Sequence, residues 1–347
     1  VVGATGVVGG AMVRILEERA FSVSELRAFA TARSAGKQIP FAGKPVTVEE
    51  SGDAITGADV ALFAGGDDAS RKYAWAVAER GGVSIDNSST WRMDPRVPLV
   101  VPEVNGDALR AHQGVIANPN CIAAPLAMAL KPLHLTAGVQ QCHVATYQSV
   151  SGGGIDNMRA LLDHTQRLLA DPAAIEFGDL GRIESLAGVA SPVAFNVRPQ
   201  WKWDPSGDTE EEMKVVAETR KMLAADVPIS VTTMRVPVLV GHTLAVHVRL
   251  GRPLAPDAAR QAFASQPGVE VVDDPANDRV PTPLLAAGRD PVYVGRVRPD
   301  RFDPHGLRFI VCSDNLRKGA ALNAVQIAEH LVAHGLLRPR TAAASQA

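Results

Sequence analysis

Seven residues near the start, Gly3-Ala4-Thr5-Gly6-Val7-Val8-Gly9, restrict the fold more than any other part of the chain. They follow the short apolar run Val1-Val2 and precede a helical pattern over about residues 8–19. A strand that turns into a helix through so few residues lays that helix back along the strand, as in a right-handed β-α-β crossover. The glycines permit a tight bend and close approach of the backbone to a ligand. The helix start then offers unpaired N–H groups to a pyrophosphate. The spacing is G-x-x-G-x-x-G and not the commoner dinucleotide form G-x-G-x-x-G, so a glycine bend without a ligand remains the alternative.

The first third continues this alternation. Residues 26–31, 60–64, 83–86 and 99–102 read as strands, and residues 69–80 as a helix. Strand and helix in turn imply a mostly parallel sheet. The middle changes character. Residues 139–150, 230–238, 243–250, 293–298 and 307–313 read as strands, with helices over 155–169, 210–224 and 256–265. Fewer crossovers and longer alternating strands imply an α+β region with a mixed or antiparallel sheet. A strong helix over 320–334, opened by Asp314 or Asn315, is expected to return to the first domain. The expected division is therefore a nucleotide-binding domain of residues 1–120 and 319–347, and a catalytic and dimerisation domain of residues 121–318. The Pro- and Asp-rich runs 198–208 and 273–283 read as surface loops, and residues 341–347 as a frayed tail.

Apolar residues form 46% of the 347-residue chain, enough for two cored domains. A net charge of −2 gives no general attraction to nucleic acid or anionic membrane, and neither is expected as a partner. No apolar run reaches the ~18 residues of a membrane span. Three distant cysteines, Cys121, Cys142 and Cys312, form no disulfide framework and suit a reducing, cytoplasmic setting. No zinc-type ligand spacing occurs, so no metal is expected. The chain opens at Val1 inside a strand, and a few preceding residues are expected; a secretory leader is not.

Chemistry concentrates around Asn118-Pro119-Asn120-Cys121. The run joins the apolar stretch 114–117 to a helical pattern over 122–133, and a thiol at a helix start has its thiolate form favoured. A buried structural cysteine is the alternative. Gln148 precedes a Ser/Gly-rich turn, Ser149 to Gly154, where backbone can come close to a ligand. Arg235 and His242 bracket an apolar segment, and an imidazole suits acid–base work near neutrality. Glu211 and Lys214 share a helix face, which by spacing alone reads as a surface ion pair. Thr209 and Glu212 fit a capping box. Arg92 follows a strand end, where ligand sites of α/β sheets gather, and Asn120 is placed to donate to the same anion. After the second strand, Arg33 and Ser34 stand where an NAD site usually carries an acid, which favours the 2′-phosphate of NADP over NAD. An ordinary solvated basic loop is the alternative. Gly65 and Gly66 allow a further backbone approach, and Asp67-Asp68 reads as helix capping.

Taken together and in order, these runs resemble the aspartate-semialdehyde dehydrogenase family. The shared marks are Gly3-Ala4-Thr5-Gly6, Asn87-Ser88-Ser89, Asn118-Pro119-Asn120-Cys121, Tyr147-Gln148-Ser149-Val150-Ser151-Gly152, Glu211-Glu212-Met213-Lys214, Arg235-Val236-Pro237-Val238, Gly241-His242 and Ser313 through Asn323. The resemblance implies a Rossmann-like, doubly wound parallel-sheet domain of α/β class joined to an α+β catalytic and dimerisation domain. It implies Cys121 as acyl-thioester nucleophile, His242 as acid/base, and Gln148 as a catalytic or substrate-holding amide. Arg235 would take the substrate α-carboxylate and Glu211 its amino group, with Arg92, Asn120 and Lys214 at the phosphate. Gly3, Thr5, Gly6, Val7, Val8, Arg33, Ser34 and Gly65 would hold NADP(H), and Ser151, Gly152 and Asn315 its nicotinamide end. The implied reaction converts L-4-aspartyl phosphate to aspartate 4-semialdehyde on the route to lysine, methionine and threonine, in a cytoplasmic homodimer or homotetramer. One departure is Ile122, where the family usually carries Ser or Thr. A reductase of another acyl phosphate, of the N-acetylglutamyl phosphate type, or a non-catalytic nucleotide-binding scaffold are the alternatives.

Overall fold

The structure is a computed structural model describing residues 1–200 and 202–337, so the expected frayed tail lies outside the described residues. It divides into two compact units. The first comprises Val1–Lys131, Ala217–Asp226 and the chain from Leu316; the second comprises Pro132–Val216 and Val227–Asn315.

The first unit holds six strands: β1 (Ala28–Ala30), β2 (Gln38–Phe41), β3 (Lys44–Glu50), β4 (Val60–Phe63), β5 (Val83–Asp86) and β6 (Val115–Ala117). Val2 bridges in parallel to both Phe29 and Phe63 and so joins β1 to β4. With the parallel pairs β1–β3, β4–β5 and β5–β6, the sheet reads β3, β1, Val2, β4, β5, β6. Numbered along the chain, the parallel strands stand in the order 3-2-1-4-5-6, which reverses direction beside Val2 and marks a doubly wound nucleotide-binding sheet. The glycine bend leaves the sheet at that reversal. β5 is buried at every position, as a strand covered on both faces must be. Between β1 and β3 the chain makes no crossover helix; β2 instead folds back antiparallel on β3. The strand expected over 99–102 is reduced to a single bridge from Leu99 to Ala117, because Pro102 opens the helical turn Pro102–Asn105.

The helices Val7–Glu18 and Leu322–Ala333 share one core with this sheet through Met12, Ile15, Leu62, Ile85, Val325 and Ala328. Each such large aliphatic side chain contributes ~1.5–3 kcal/mol by burial. The last helix is preceded by a π-helical turn, Arg317–Ala321, rather than starting at residue 320. Lys318 in that turn is 1% exposed, and its ammonium meets Glu103 Oε2 at 2.6 Å, Asn323 Oδ1 at 2.9 Å and Gln326 Oε1 at 2.6 Å.

The second unit carries seven strands: β7 (Val139–Gln148), β8 (Arg198–Pro199), β9 (Ile229–Arg235), β10 (His242–Leu250), β11 (Val269–Val271), β12 (Val292–Pro299) and β13 (Gly306–Ser313). They form one mixed sheet in the order β11-β12-β13-β10-β7-β9-β8. Along β7 and β10, Cys142, Val144, Leu244, Val246 and Val248 are buried while His143, His247 and Arg249 face outward, the alternation of a sheet packed on one face. The helices Ile155–Leu168 and Leu180–Ala187 build a small apolar cluster with Val150. Among the described residues no helix is long and apolar enough to cross a membrane.

Replacing Glu103 by Ala removes the carboxylate from a buried ammonium, and such breakage costs ~3–5 kcal/mol. The urea midpoint of Glu103→Ala should fall accordingly, and Lys318→Met combined with Glu103→Gln should restore most of the loss.

Candidate active site

β6 ends at Ala117, and the next five residues turn into the helix Ala123–Ala137. Asn120 governs this turn. Its side-chain Oδ1 accepts from the N–H groups of Ile122 at 2.8 Å and Ala123 at 3.3 Å, which is how an N-cap works. Its own N–H donates to Glu218 Oε2 at 2.6 Å. Glu218, 1% exposed, accepts from Arg92 Nη1 at 3.0 Å. The remaining edges of that guanidinium hold two carbonyls, Nε on Asn118 O and Nη2 on Asn87 O, both at 2.9 Å. Cys121 therefore sits half-buried at the mouth of a capped helix, at the positive end of its dipole. The π-helical turn closes over it. A Cβ added to Gly319 would lie 2.9 Å from Cys121 Cβ, so only glycine lets the turn pass.

Two expectations change here. Arg92, assigned to an anion, has its guanidinium on Glu218 and two carbonyls of the Cys121 turn, and Asn120, assigned to the same anion, uses its N–H and Oδ1 to build that turn. Ile122, which lacks the expected hydroxyl, is fully buried, and the capping oxygen comes from Asn120 instead. Asp67-Asp68 is a third change: Asp67 accepts from Ser89 N at 3.2 Å, Ser89 Oγ at 3.3 Å and Thr90 Oγ1 at 3.0 Å, pinning the neighbouring loop rather than capping its own helix. Beneath that loop Asp86 accepts from Ser70 and Ser88; burial raises its pKa, and the two serines and Arg92 oppose the rise.

In the second unit the strand ends carry a row of polar side chains. Gln148 on β7 is in register with Arg235 on β9, and His242 on β10 with Ser313 on β13. Thr243 pairs with Tyr147, so His242, one step further, lies across from Gln148. All four are buried. Gln148 Nε2 donates to Glu211 Oε1 at 3.3 Å, and Gln148 Oε1 accepts from Gln200 Nε2 at 2.7 Å. Arg235 donates through Nη1 to Ser149 O and through Nη2 to Gln200 Oε1 at 3.4 Å. Burial first, and the charge of Arg235 second, pull His242 down to a pKa of about 3. Asn315 Oδ1 accepts from Ser149 Oγ, Ser151 Oγ and Gly241 N, each at 3.0 Å, while its Nδ2 donates to Ser151 Oγ at 2.9 Å. A Cβ on Gly152 would come within 3.2 Å of Arg235 Nη1 and 3.5 Å of His242 Nε2, so the missing side chain keeps space beside both. Lys214, expected beside Glu211, pairs with Glu210 at 2.6 Å. The capping box is realised, with Thr209 N on Glu212 Oε2 at 2.7 Å and Glu212 N on Thr209 Oγ1 at 3.2 Å.

Gln200 and Ser313 escaped the sequence reading. Gln200 lies in a run read as surface, yet it is 5% exposed and links Gln148 to Arg235. The hydroxyl of Ser313 is buried without a hydrogen-bond partner.

The glycine bend fits a dinucleotide. Gly3 has φ +81°, and a Cβ there would stand 2.6 Å from Ala64 C and O; a Cβ on Gly9 would strike Gly3 O. Thr5 and Gly6 are exposed, Val7 and Val8 open the helix, and no side chain caps it, which leaves its first N–H groups to an anion. Gly65 sits against Val2 and Ala69 across the same bend. After β1, Arg33 is exposed on a short 3-10 turn. Ser34 turns inward at 6% exposure, where its hydroxyl meets Lys37 Nζ at 3.4 Å, so the second group facing solvent there is the Lys37 ammonium. Among the described residues no group of His, Cys, Asp or Glu could hold a metal ion.

A doubly wound nucleotide-binding sheet beside a separate mixed-sheet unit is the architecture of a nicotinamide-dependent dehydrogenase. Residues 1–112 match the family described as semialdehyde dehydrogenase, NAD binding domain, and residues 130–318 the semialdehyde dehydrogenase dimerisation domain. An aspartate-semialdehyde dehydrogenase of Streptomyces akiyoshiensis is 46% identical over 348 residues, covering 96% of this chain and 98% of its own. That of Aquifex aeolicus is 42% identical over 343 residues, covering 97% and 98%. The crystal structure of aspartate semialdehyde dehydrogenase II from Vibrio cholerae complexed with ASA has a TM-score of 0.86 at 38% identity, covering 95% of this chain and 96% of that one. The chain belongs to the aspartate-semialdehyde dehydrogenase family.

Cys142 and Cys312 are fully buried, and burial pushes their thiols up to about 12 and about 11. Brief iodoacetamide treatment of the native protein should therefore alkylate Cys121 alone by peptide mass spectrometry, and Gly319→Ala, which crowds Cys121 Cβ, should change that rate.

Proposed function

We propose that this protein reduces L-4-aspartyl phosphate to L-aspartate 4-semialdehyde with release of phosphate, using NADPH and a Cys121 acyl thioester. The observation that carries the reading is the placement of Cys121 on a helix start that Asn120, Glu218 and Arg92 hold in one conformation. Family membership and the ASA held by the Vibrio relative support the substrate.

The helix N-terminus favours the anionic sulfur, which is the attacking species. It adds to the acyl carbon and displaces phosphate, leaving an acyl thioester, a better hydride acceptor than a carboxylate. When bound, the nicotinamide supplies the hydride. The bend formed by Gly3, Thr5, Gly6, Val7, Val8 and Gly65 holds the pyrophosphate, Arg33 with Lys37 the 2′-phosphate, and the turn of Ser151, Gly152 and Asn315 borders the nicotinamide. Arg235, braced by Gln200 and the Ser149 carbonyl, offers its guanidinium to the substrate α-carboxylate. Glu211, placed by Gln148, takes the amino group, and Lys214 serves the phosphate. His242 acts as the acid/base and handles the proton as the thiohemiacetal collapses to aldehyde. The three free thiols suit a cytoplasmic protein, and the dimerisation region suits a homodimer or a homotetramer.

A spectrophotometric assay with aspartate semialdehyde, phosphate and each nicotinamide tests this directly. Turnover only with an N-acetylglutamyl substrate would replace the substrate assignment. Cys121→Ser should lower kcat by roughly 10³-fold or more, and retained turnover would refute the thioester. Arg33→Ala should raise the KM for NADPH by about tenfold, the loss of one charge-assisted contact, and leave that for NADH unchanged.

A further inference from the structure

Gln200 follows β8, the edge strand of the second unit's sheet. Its backbone N–H donates to Thr233 O on β9 at 3.0 Å, and the Thr233 N–H donates to Glu212 Oε1 at 2.8 Å. One residue of β9 thus anchors both Gln200 and the start of the helix Glu210–Leu223, which carries Glu211. From this anchor the Gln200 side chain, 5% exposed, reaches Gln148 and Arg235, which stand side by side on β7 and β9.

Three hydrogen bonds then run in one direction. Arg235 Nη2 donates to Gln200 Oε1 at 3.4 Å, Gln200 Nε2 to Gln148 Oε1 at 2.7 Å, and Gln148 Nε2 to Glu211 Oε1 at 3.3 Å. The ends impose that direction, because a guanidinium only donates and a carboxylate only accepts. Turning over one carboxamide sets donor against donor at one of its contacts and acceptor against acceptor at the other. Turning over both restores the middle contact and spoils the two ends. A cation and an anion thus fix two amides, and the amides in turn hold the cation and the anion at one spacing.

We propose that Gln200 is a positioning and specificity-determining residue: through Gln148 it sets Glu211 at a fixed spacing from Arg235, and so makes the site select an unacylated α-amino acid head. The inference rests on the reading that Arg235 takes the α-carboxylate and Glu211 the α-ammonium group.

Such a head carries two opposite charges on one carbon, and the site presents the complementary pair. An N-acylated substrate offers a neutral amide where the ammonium would be, and a desamino substrate leaves the carboxylate without its cation. Discrimination of this kind depends on where Glu211 stands, since an ion pair weakens with separation and a hydrogen bond weakens steeply off line. Gln200 acts on Glu211 only through Gln148, so its effect is on position and not on the chemical step.

Steady-state kinetics of the full chain test this, with phosphate and NADP⁺ saturating. The KM for L-aspartate 4-semialdehyde is compared with the Ki of its desamino analogue, succinate semialdehyde, measured as a competitor. Gln200→Met fills the same space without the donor or the acceptor. It should lower the ratio of Ki to KM by about tenfold, the order of one hydrogen bond to a charged group, through a raised KM at nearly unchanged kcat. Gln200→Glu keeps the acceptor for Arg235 and loses the donor for Gln148. It should lower the ratio too, and it carries the test if the Met variant fails to fold. Both ligands bear the carboxylate, so a disturbance of Arg235 alone cancels in the ratio. An unchanged ratio in Gln200→Glu, or a loss confined to kcat, would overturn the proposal. A wild-type protein that does not turn over aspartate semialdehyde would refute the function and take this inference with it; an active wild type whose variants keep the ratio would refute this inference alone.

Discussion

A carboxylate taken out of water holds the Cys121 turn in place. Glu218 is 1% exposed, and its two oxygens are shared between the Asn120 N–H and the Arg92 guanidinium. A buried charge that loses its partner costs several kcal/mol, so neither contact can be given up cheaply. With the Asn120 N–H aimed at Glu218, its side-chain oxygen is left to cap the helix, and Cys121 falls on the first turn. Arg92 then ties the same carboxylate to Asn87, just after β5, and to Asn118, just after β6. The sheet ends and the thiol turn are thereby set by one ion pair. Exposed pairs such as Arg71 with Asp68 are solvated and screened and have no such leverage.

What the sequence made legible was local. The glycine bend, the capping box at Thr209 and Glu212, the thiol beside a helix start and the alternating strands each depend on residues a few positions apart, and each is present. What it hid depended on partners far along the chain. Gln200 sits in a Pro/Asp-rich run that looks solvated, but Arg198 and Pro199 pair with β9 and carry its amide beneath the sheet end. Asp273 misleads in the same way: its carboxylate, 3% exposed, receives Arg260 Nε at 2.6 Å and the N–H groups of Arg296 and Val297 at the irregular part of β12. Lys214 has carboxylates three and four residues before it, and it pairs at 2.6 Å with Glu210, four residues before. Helix spacing brings both within reach, and spacing alone cannot rank them.

The two units give Cys121 and His242 opposite electrostatic settings. Cys121 lies at the positive end of a helix dipole, which favours a negative charge on sulfur without adding a mobile cation. His242 must stay uncharged while buried beside Arg235. A charged imidazole there would place a second cation in a water-poor setting, where repulsion is little screened. The positive charge of the second unit's site then rests on Arg235, whose guanidinium is held flat by the Ser149 carbonyl and Gln200. A guanidinium so held can meet a carboxylate with two parallel bonds.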